Sequence, residues 1–432
     1  MKVKILFGTY LWIYFILMIL LFHLEVKHYF YWGNIAYYSG GVFNFSFGRL
    51  GLALIIFFFN ARVLSRMNRY KIGFVILTMI TALLTVPSLV TFTSSMMYPW
   101  KLLIYHQLFF WSLYAVFLVR IDLDKLPVLN KKQSLYLIFI LITVGIVPYL
   151  LIYGPYLNPK NLLLIDVYET RNLMKSMTNP YFGYSYSVFT RILIPLAIVF
   201  SLEQRNFLFF VISLVYLILF FLFGAHKTVY AALIIILVVY RWSFESAANR
   251  LIKFSAIFLV ACLILAVLTI DYPWILTFRR THFLPALLDI AYVDFFDDNY
   301  LIWSESILKS FVDYPYELDH KRLIGLEYFK NKEVAANNGL ISDGFMNYGS
   351  IGVVVNVFLI SIYFMIINNI RMEARYFGVF LLVVFSFTSS STLTVFLTHG
   401  AFALLLIALF LLRDKAKSSN VELTIVKKKP LA

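Results

Sequence analysis

Asp343 sits in the stretch AANNGLISDGFMNYGSIG, between glycines and just ahead of an apolar run, where a carboxylate could serve as a general base or bind hydroxyls. Upstream, Arg279 and Arg280 open the same polar stretch, and Arg171 occupies an earlier one. A planar guanidinium grips phosphate through two parallel hydrogen bonds, so arginines gathered at a membrane face suit a lipid diphosphate. The alternative for this pair is a surface ion pair with Asp289 or Asp294. Arg191 and Arg49 fall inside apolar runs, where a guanidinium is costly unless it faces a polar cavity or reaches the interface. The turn GAHKTVY sets His226 beside Lys227, a pairing that fits an anion site or a proton-transfer site. His282 and His399 fit satisfied interfacial histidines. Asp294, Asp297 and Asp298 lack the glycine and the ligand spacing of a calcium loop and fit a solvated turn.

The elements that must position these residues are membrane helices. The 432-residue chain is 62% hydrophobic and 14% charged, whereas a soluble domain carries about 25% charged residues. Apolar runs long enough to cross a ~30 Å hydrocarbon core recur from end to end. Their uninterrupted character excludes the short alternating segments of a barrel, so helices must satisfy the backbone. The pattern predicts an all-α polytopic membrane protein with about twelve spans: 5–22, 45–61, 72–92, 102–119, 134–153, 186–202, 206–223, 228–240, 254–270, 350–367, 376–394 and 397–412. The first span lacks a cleavage pattern after it and is expected to be retained.

Most of the Lys and Arg residues lie in alternate connections, which places those connections and both termini in the cytoplasm. The net charge of +15 is then topological and needs no nucleic acid to explain it. The expected organisation is nine helices over 1–270 with an outside loop near 154–185, a large extracytoplasmic loop at 271–349, three helices over 350–412, and a basic tail at 413–432. Smaller outside turns are expected at 30–44, 94–101 and 225–228. Within the large loop, the apolar spacing of 300–312 predicts a short amphipathic surface helix. The segment TNPYFGYSY has the Pro and Gly of turns and the tyrosines of a membrane interface. The weakest boundary is that of the last pair of helices, where SFTSSSTLT within 385–398 points to a broken or tilted span. Cys262, the lone cysteine, fits a packed thiol. P-loop, Rossmann, zincin and hydrolase motifs are absent, as are internal repeats.

Taken together, the GAHK turn, the Arg279-Arg280 pair, the VDFF run and ANNGLISDGFMNYGSIG entering a span resemble the oligosaccharide repeat-unit polymerases, the O-antigen or capsule polymerases. The sharper part of the likeness runs from Gly224 to Gly352. The resemblance implies a membrane-embedded GT-C glycosyltransferase at the outer face of the bacterial inner membrane. Such an enzyme moves a glycan from undecaprenyl diphosphate to the end of another lipid-linked unit, without a metal cofactor, and can work beside a chain-length-regulating membrane protein. On this basis Arg279, Arg280 and Arg171 would bind the diphosphate with Arg191 and Lys227 in support. Asp343 or His226 would be the base, and Asn337 and Asn338 would bind sugar. The related O-antigen ligases carry a His-Asn pair where this chain has Asn337-Asn338, which favours polymerase over ligase. A lipid-linked oligosaccharide flippase is the remaining alternative.

Overall fold

The computed structural model describes residues 2–28, 45–94, 98–177 and 179–414. The turn expected at 30–44, part of that at 94–101 and nearly all of the basic tail, including KKKP at 427–430, lie outside the described residues. Within them the chain is helical, and nine helices are long and apolar enough to cross a membrane. These are α1 (Leu6–Val26), α2 (Phe47–Arg66), α3 (Ile72–Ser94), α4 (Trp100–Leu118), α5 (Lys131–Tyr156), α7 (Pro180–Glu203), α8 (Phe207–Gly224), α10 (Phe244–Val267) and α13 (Leu340–Asn369). Three shorter apolar helices are α9 (Thr228–Val239), α14 (Ala374–Phe387) and α16 (Ala401–Leu412). The remaining helices are α6 (Val167–Ser176), α11 (272–295), α12 (His320–Phe329) and α15 (Thr392–Leu397). The protein is an all-α polytopic membrane protein.

Helix α3 is the centre of the bundle: its most apolar window is buried throughout, and α1, α2, α4, α10, α13 and α14 pack around it. Polar caps start several helices. Asn130 and Gln133 form a reciprocal capping box on α5, Asn206 accepts from the Phe209 amide on α8, and Ser243 accepts from the Ser246 amide on α10.

The connections that carry the basic residues meet one another at one end of the bundle. Arg69 pairs with Glu245 at 3.2 Å, Arg371 with Asp124 at 3.3 Å, and Lys131 with Asp414 at 3.2 Å. Helix α14 leaves this basic end and α16 returns to it, so 388–400, which joins them through α15, lies toward the opposite end. At 1.5 Å per residue neither α14 nor α16 reaches the ~30 Å of a hydrocarbon core. The irregular backbone between them therefore sits below the level of a full span, as the SFTSSSTLT sequence anticipates. Non-helical backbone is tolerated at that depth where it is packed in protein or lines a wet cavity.

Three expectations for the polar stretches need correction. The first half of the 271–349 loop is not watery: 272–295 forms α11, and every residue from Pro285 to Val293 is buried against neighbours that include α3 and α13. Its apolar residues cover all faces of the helix, the pattern of an element packed on every side. TNPYFGYSY is not a turn but the start of α7, because Asn179 caps the Phe182 amide at 3.2 Å and Pro180 takes the first helical position. Residues 300–312 form successive turns, not a surface helix. Ile302 and Trp303 adopt left-handed backbone. The amides of Leu301 and Ile302 donate to the carbonyls of Met346 (2.8 Å) and Asn347 (3.0 Å), and Trp303 donates to the Asn347 side chain (2.8 Å). Tertiary bonds to a helix end have replaced the local ones a helix would need.

Candidate active site

The sharpest local feature is the break in α13. Tyr348 (φ −155°, ψ 33°) and Gly349 (φ 57°, ψ −141°) leave helical geometry, and the arms on either side, 340–347 and 350–369, fold against one another. Gly344 and Gly352 meet at the crossing, where a Cβ on Gly352 would lie 2.0 Å from the Gly344 carbonyl oxygen. Asn356 closes the hairpin by donating to the Leu340 carbonyl at 3.1 Å and to Asp343 Oδ2 at 2.9 Å. The same Asp343 oxygen accepts from the Thr392 amide at 2.9 Å, so the hairpin caps α15. Asp343 is buried, with Asn347 approaching its other oxygen at 3.4 Å.

Around this hairpin lie two adjoining cavities that share His320, Lys321, Ser391 and Thr394 as a common wall. One, of about 640 Å³, is lined by Arg191, Arg280, Asn337, Asn338 and His399 and, among the described residues, by no carboxylate. The other, of about 610 Å³, is lined by Asp343, Glu305, Asp313, Glu317, Asp319 and Trp303, with Lys309 its only cation besides the wall among the described residues. Both volumes suit a small-molecule site, and their charges are opposite.

In the cationic cavity, Arg191 rises from the middle of α7 and donates to Ser386 Oγ at 2.7 Å, beside the break after α14. Arg280 is exposed into the space. His399 Nδ1 is buried and has no hydrogen-bond partner among the described residues. Asn338 is held from behind. Its amide nitrogen donates to the Pro285 carbonyl (3.1 Å), Asp289 Oδ1 (3.0 Å) and Ser342 Oγ (2.6 Å), which fixes the amide orientation and leaves Oδ1 unused. Asp289, buried in α11, also accepts from Ser342 Oγ at 2.6 Å and bonds His106 Nε2 at 3.1 Å. Such a buried carboxylate is tolerable only with this many donors. Its neighbour Asp294 accepts from Tyr328 at 2.6 Å, and Asp297 pairs with Lys101 at 2.5 Å. The acidic residues offered as surface partners for Arg279-Arg280 are thus engaged elsewhere. No group of three His, Cys, Asp or Glu residues among the described residues could hold a metal ion.

At the common wall, His320 forms an imidazole–carboxylate pair with Glu305 of the acidic cavity. His320 Nδ1 bonds Glu305 Oε2, and the His320 amide donates to Oε1 at 3.0 Å. Burial alone would raise the Glu305 carboxyl, but the bonds from His320 outweigh it and hold the group below its ordinary range. Nε2 of His320 has no partner among the described residues. Sequence reasoning missed this pair, along with His106, because the partners lie 15 residues apart across irregular turns and 183 residues apart across the bundle.

Five of the expected site residues, Arg191, Arg280, Asn337, Asn338 and Asp343, line one or other cavity. Arg279, Arg171, His226 and Lys227 line neither. Arg279 precedes Arg280 in the π-helical stretch Ile275–Phe283 of α11 and so projects from a different face of the helix. Arg171, in α6, donates through Nε (3.2 Å) and Nη2 (2.9 Å) to the carbonyl of Ala225, the left-handed residue that ends α8. This is a cation closing a helix C-terminus. Arg171→Ala is therefore expected to cost about 1–2 kcal/mol of stability, from lost charge-assisted bonds, while leaving turnover within a few-fold. A melting curve and an activity measurement on the same preparation check both. Desolvation by its neighbours, with Arg171, Arg191 and Lys175 adding to it, shifts His226 below the ordinary imidazole range although its side chain is exposed. Uncharged at neutral pH, His226 lends no positive charge to an anion.

Comparison with known protein families, curated proteins and solved structures finds no match to this chain.

Proposed function

We propose that the chain is a membrane glycosyltransferase that joins oligosaccharide units carried on undecaprenyl diphosphate, as an O-antigen or capsule polymerase does. The observation that carries this reading is the cationic cavity walled by the break between α14 and α16, toward the end opposite the basic connections. A site below the level of a full span, lined by arginines and free of carboxylates, matches a diphosphate that enters from the bilayer on a prenyl tail. An apolar groove between α7 and α15, lined by Tyr181, Tyr184, Val188, Phe189 and Leu397, suits such a tail. Arg191, Arg280 and Lys321 hold the diphosphate and stabilise its charge as it leaves. Asn337 and Asn338 bind the sugar beside it. Positive-inside orientation supports a periplasmic-facing site for both cavities.

Deletion of the gene tests the reaction class through the surface glycan. Loss of a polymerase leaves lipid core capped with a single repeat unit, which is the expected result. Bare core would identify a ligase, and repeat units trapped in the cytoplasm would identify a flippase.

A further inference from the structure

The functional reading leaves open which group takes the acceptor proton, and the wall between the cavities contains one placed to do so. His320 lines both spaces, and Glu305 occupies its Nδ1, so that the neutral ring carries its proton on that nitrogen and presents the Nε2 lone pair. The second bond, from the His320 backbone amide to Glu305 Oε1 at 3.0 Å, fixes the carboxylate relative to the ring. Ring position is further constrained by Tyr292, whose ring stands 6.2 Å away, edge to face, and whose hydroxyl is tied to the Ala336 carbonyl at 2.9 Å. The two cavities that meet at this imidazole differ in kind. One offers guanidinium groups and an ammonium, suited to a diphosphate. The other offers Trp303, stacked on Tyr348 at 6.3 Å with 12° between planes, together with carboxylates that accept hydroxyl protons, suited to a sugar end.

Resting on that reading, we propose that His320 is the general base of the transfer, that Glu305 is its positioning residue, and that the acidic cavity holds the acceptor glycan. An acceptor hydroxyl in the acidic cavity gives its proton to Nε2 as its oxygen bonds the donor's anomeric carbon. The bond from that carbon to the diphosphate oxygen breaks, and the lipid diphosphate departs with the electron pair, its charge held by Arg191 and Arg280. The imidazolium is stabilised by Glu305 until the proton passes to water. Asp343 is less suited to this task, because its oxygens are already engaged by Asn356, Asn347 and the Thr392 amide and its burden is to hold the hairpin to α15.

The test uses the full chain in nanodiscs with a prenyl-diphosphate-linked repeat unit isolated from the producing cell, following release of prenyl diphosphate. His320→Ala is expected to lower kcat by a factor of about 10³, within the range for a positioned base, with KM for the donor changed less than about threefold and with imidazole restoring part of the rate. Glu305→Gln is expected to lower kcat about tenfold and Glu305→Asp to recover most of it. Melting curves on each variant show that the fold persists. Undiminished turnover in His320→Ala, or a loss that imidazole does not relieve in a variant that melts normally, overturns the assignment and leaves the functional reading standing. A wild-type chain that releases no prenyl diphosphate overturns both.

Discussion

Arg280→Ala is expected to lower the rate of lipid-diphosphate release by a factor of 10² to 10³, while Arg279→Ala, one residue away, stays within several-fold of wild type. The magnitude is that of removing one fixed donor from a developing oxyanion, about 10²–10³ in kcat. The asymmetry comes from the helix: consecutive side chains on the π-helical stretch of α11 project from different faces, and of the two only Arg280 lines the cavity. Arg280 is solvent-exposed at the cavity surface, so its truncation should leave the melting temperature within about 1 °C, as surface substitutions usually do. Measuring rate and melting on both variants decides the matter. Equal losses in the two would mean that the pair acts as a unit, and would remove the reason for placing the diphosphate in this cavity.

That asymmetry illustrates what the sequence could and could not convey. Apolar run length is a one-dimensional quantity, so nine of the expected spans correspond to helices long enough to cross a membrane and the other three to shorter apolar helices. Charge bias grouped the basic connections, and ion pairs such as Arg371–Asp124 join them in the fold. The break at 388–400 was visible as SFTSSSTLT because polar runs inside a span have few other uses. Polar composition misled where tertiary contacts supply partners. Asp289 looked like a surface charge, yet it is a buried acceptor for Asn338 and Ser342 and a partner of His106. Leu301 and Ile302 had helical spacing, but their amides serve the end of the 340–347 arm. Asn337, Asn338 and Asp343 were legible because amides and a carboxylate flanked by glycines at the edge of a span are conspicuous. His320 was not, since an isolated histidine acquires its meaning from Glu305 only after the turns between them have formed.

The glycines of the same stretch carry the second large effect. Gly352→Ala is expected to destabilise the protein by about 3 kcal/mol, at the upper end of ordinary overpacking, and to abolish turnover with it. An added Cβ would stand 2.0 Å from the Gly344 carbonyl oxygen and 2.9 Å from its carbon. Both are backbone atoms, so no side chain can swing aside, and the hairpin itself must open. Opening it withdraws Asp343 from Asn356 and from the Thr392 amide, which frees α15 and with it Ser391 and Thr394, half of the wall between the cavities. Gly51→Ala is the control: this glycine lies in α2, a Cβ there meets nothing within 4 Å, and the change should be neutral or favour the helix by up to about 1 kcal/mol. Thermal melting and turnover of the two variants separate a demand for glycine at the crossing from a general effect of replacing glycine in a membrane helix. A Gly352→Ala chain that melts with the wild type would show that the two arms do not meet at Gly344 and Gly352, and the wall that the hairpin is said to hold would need another support.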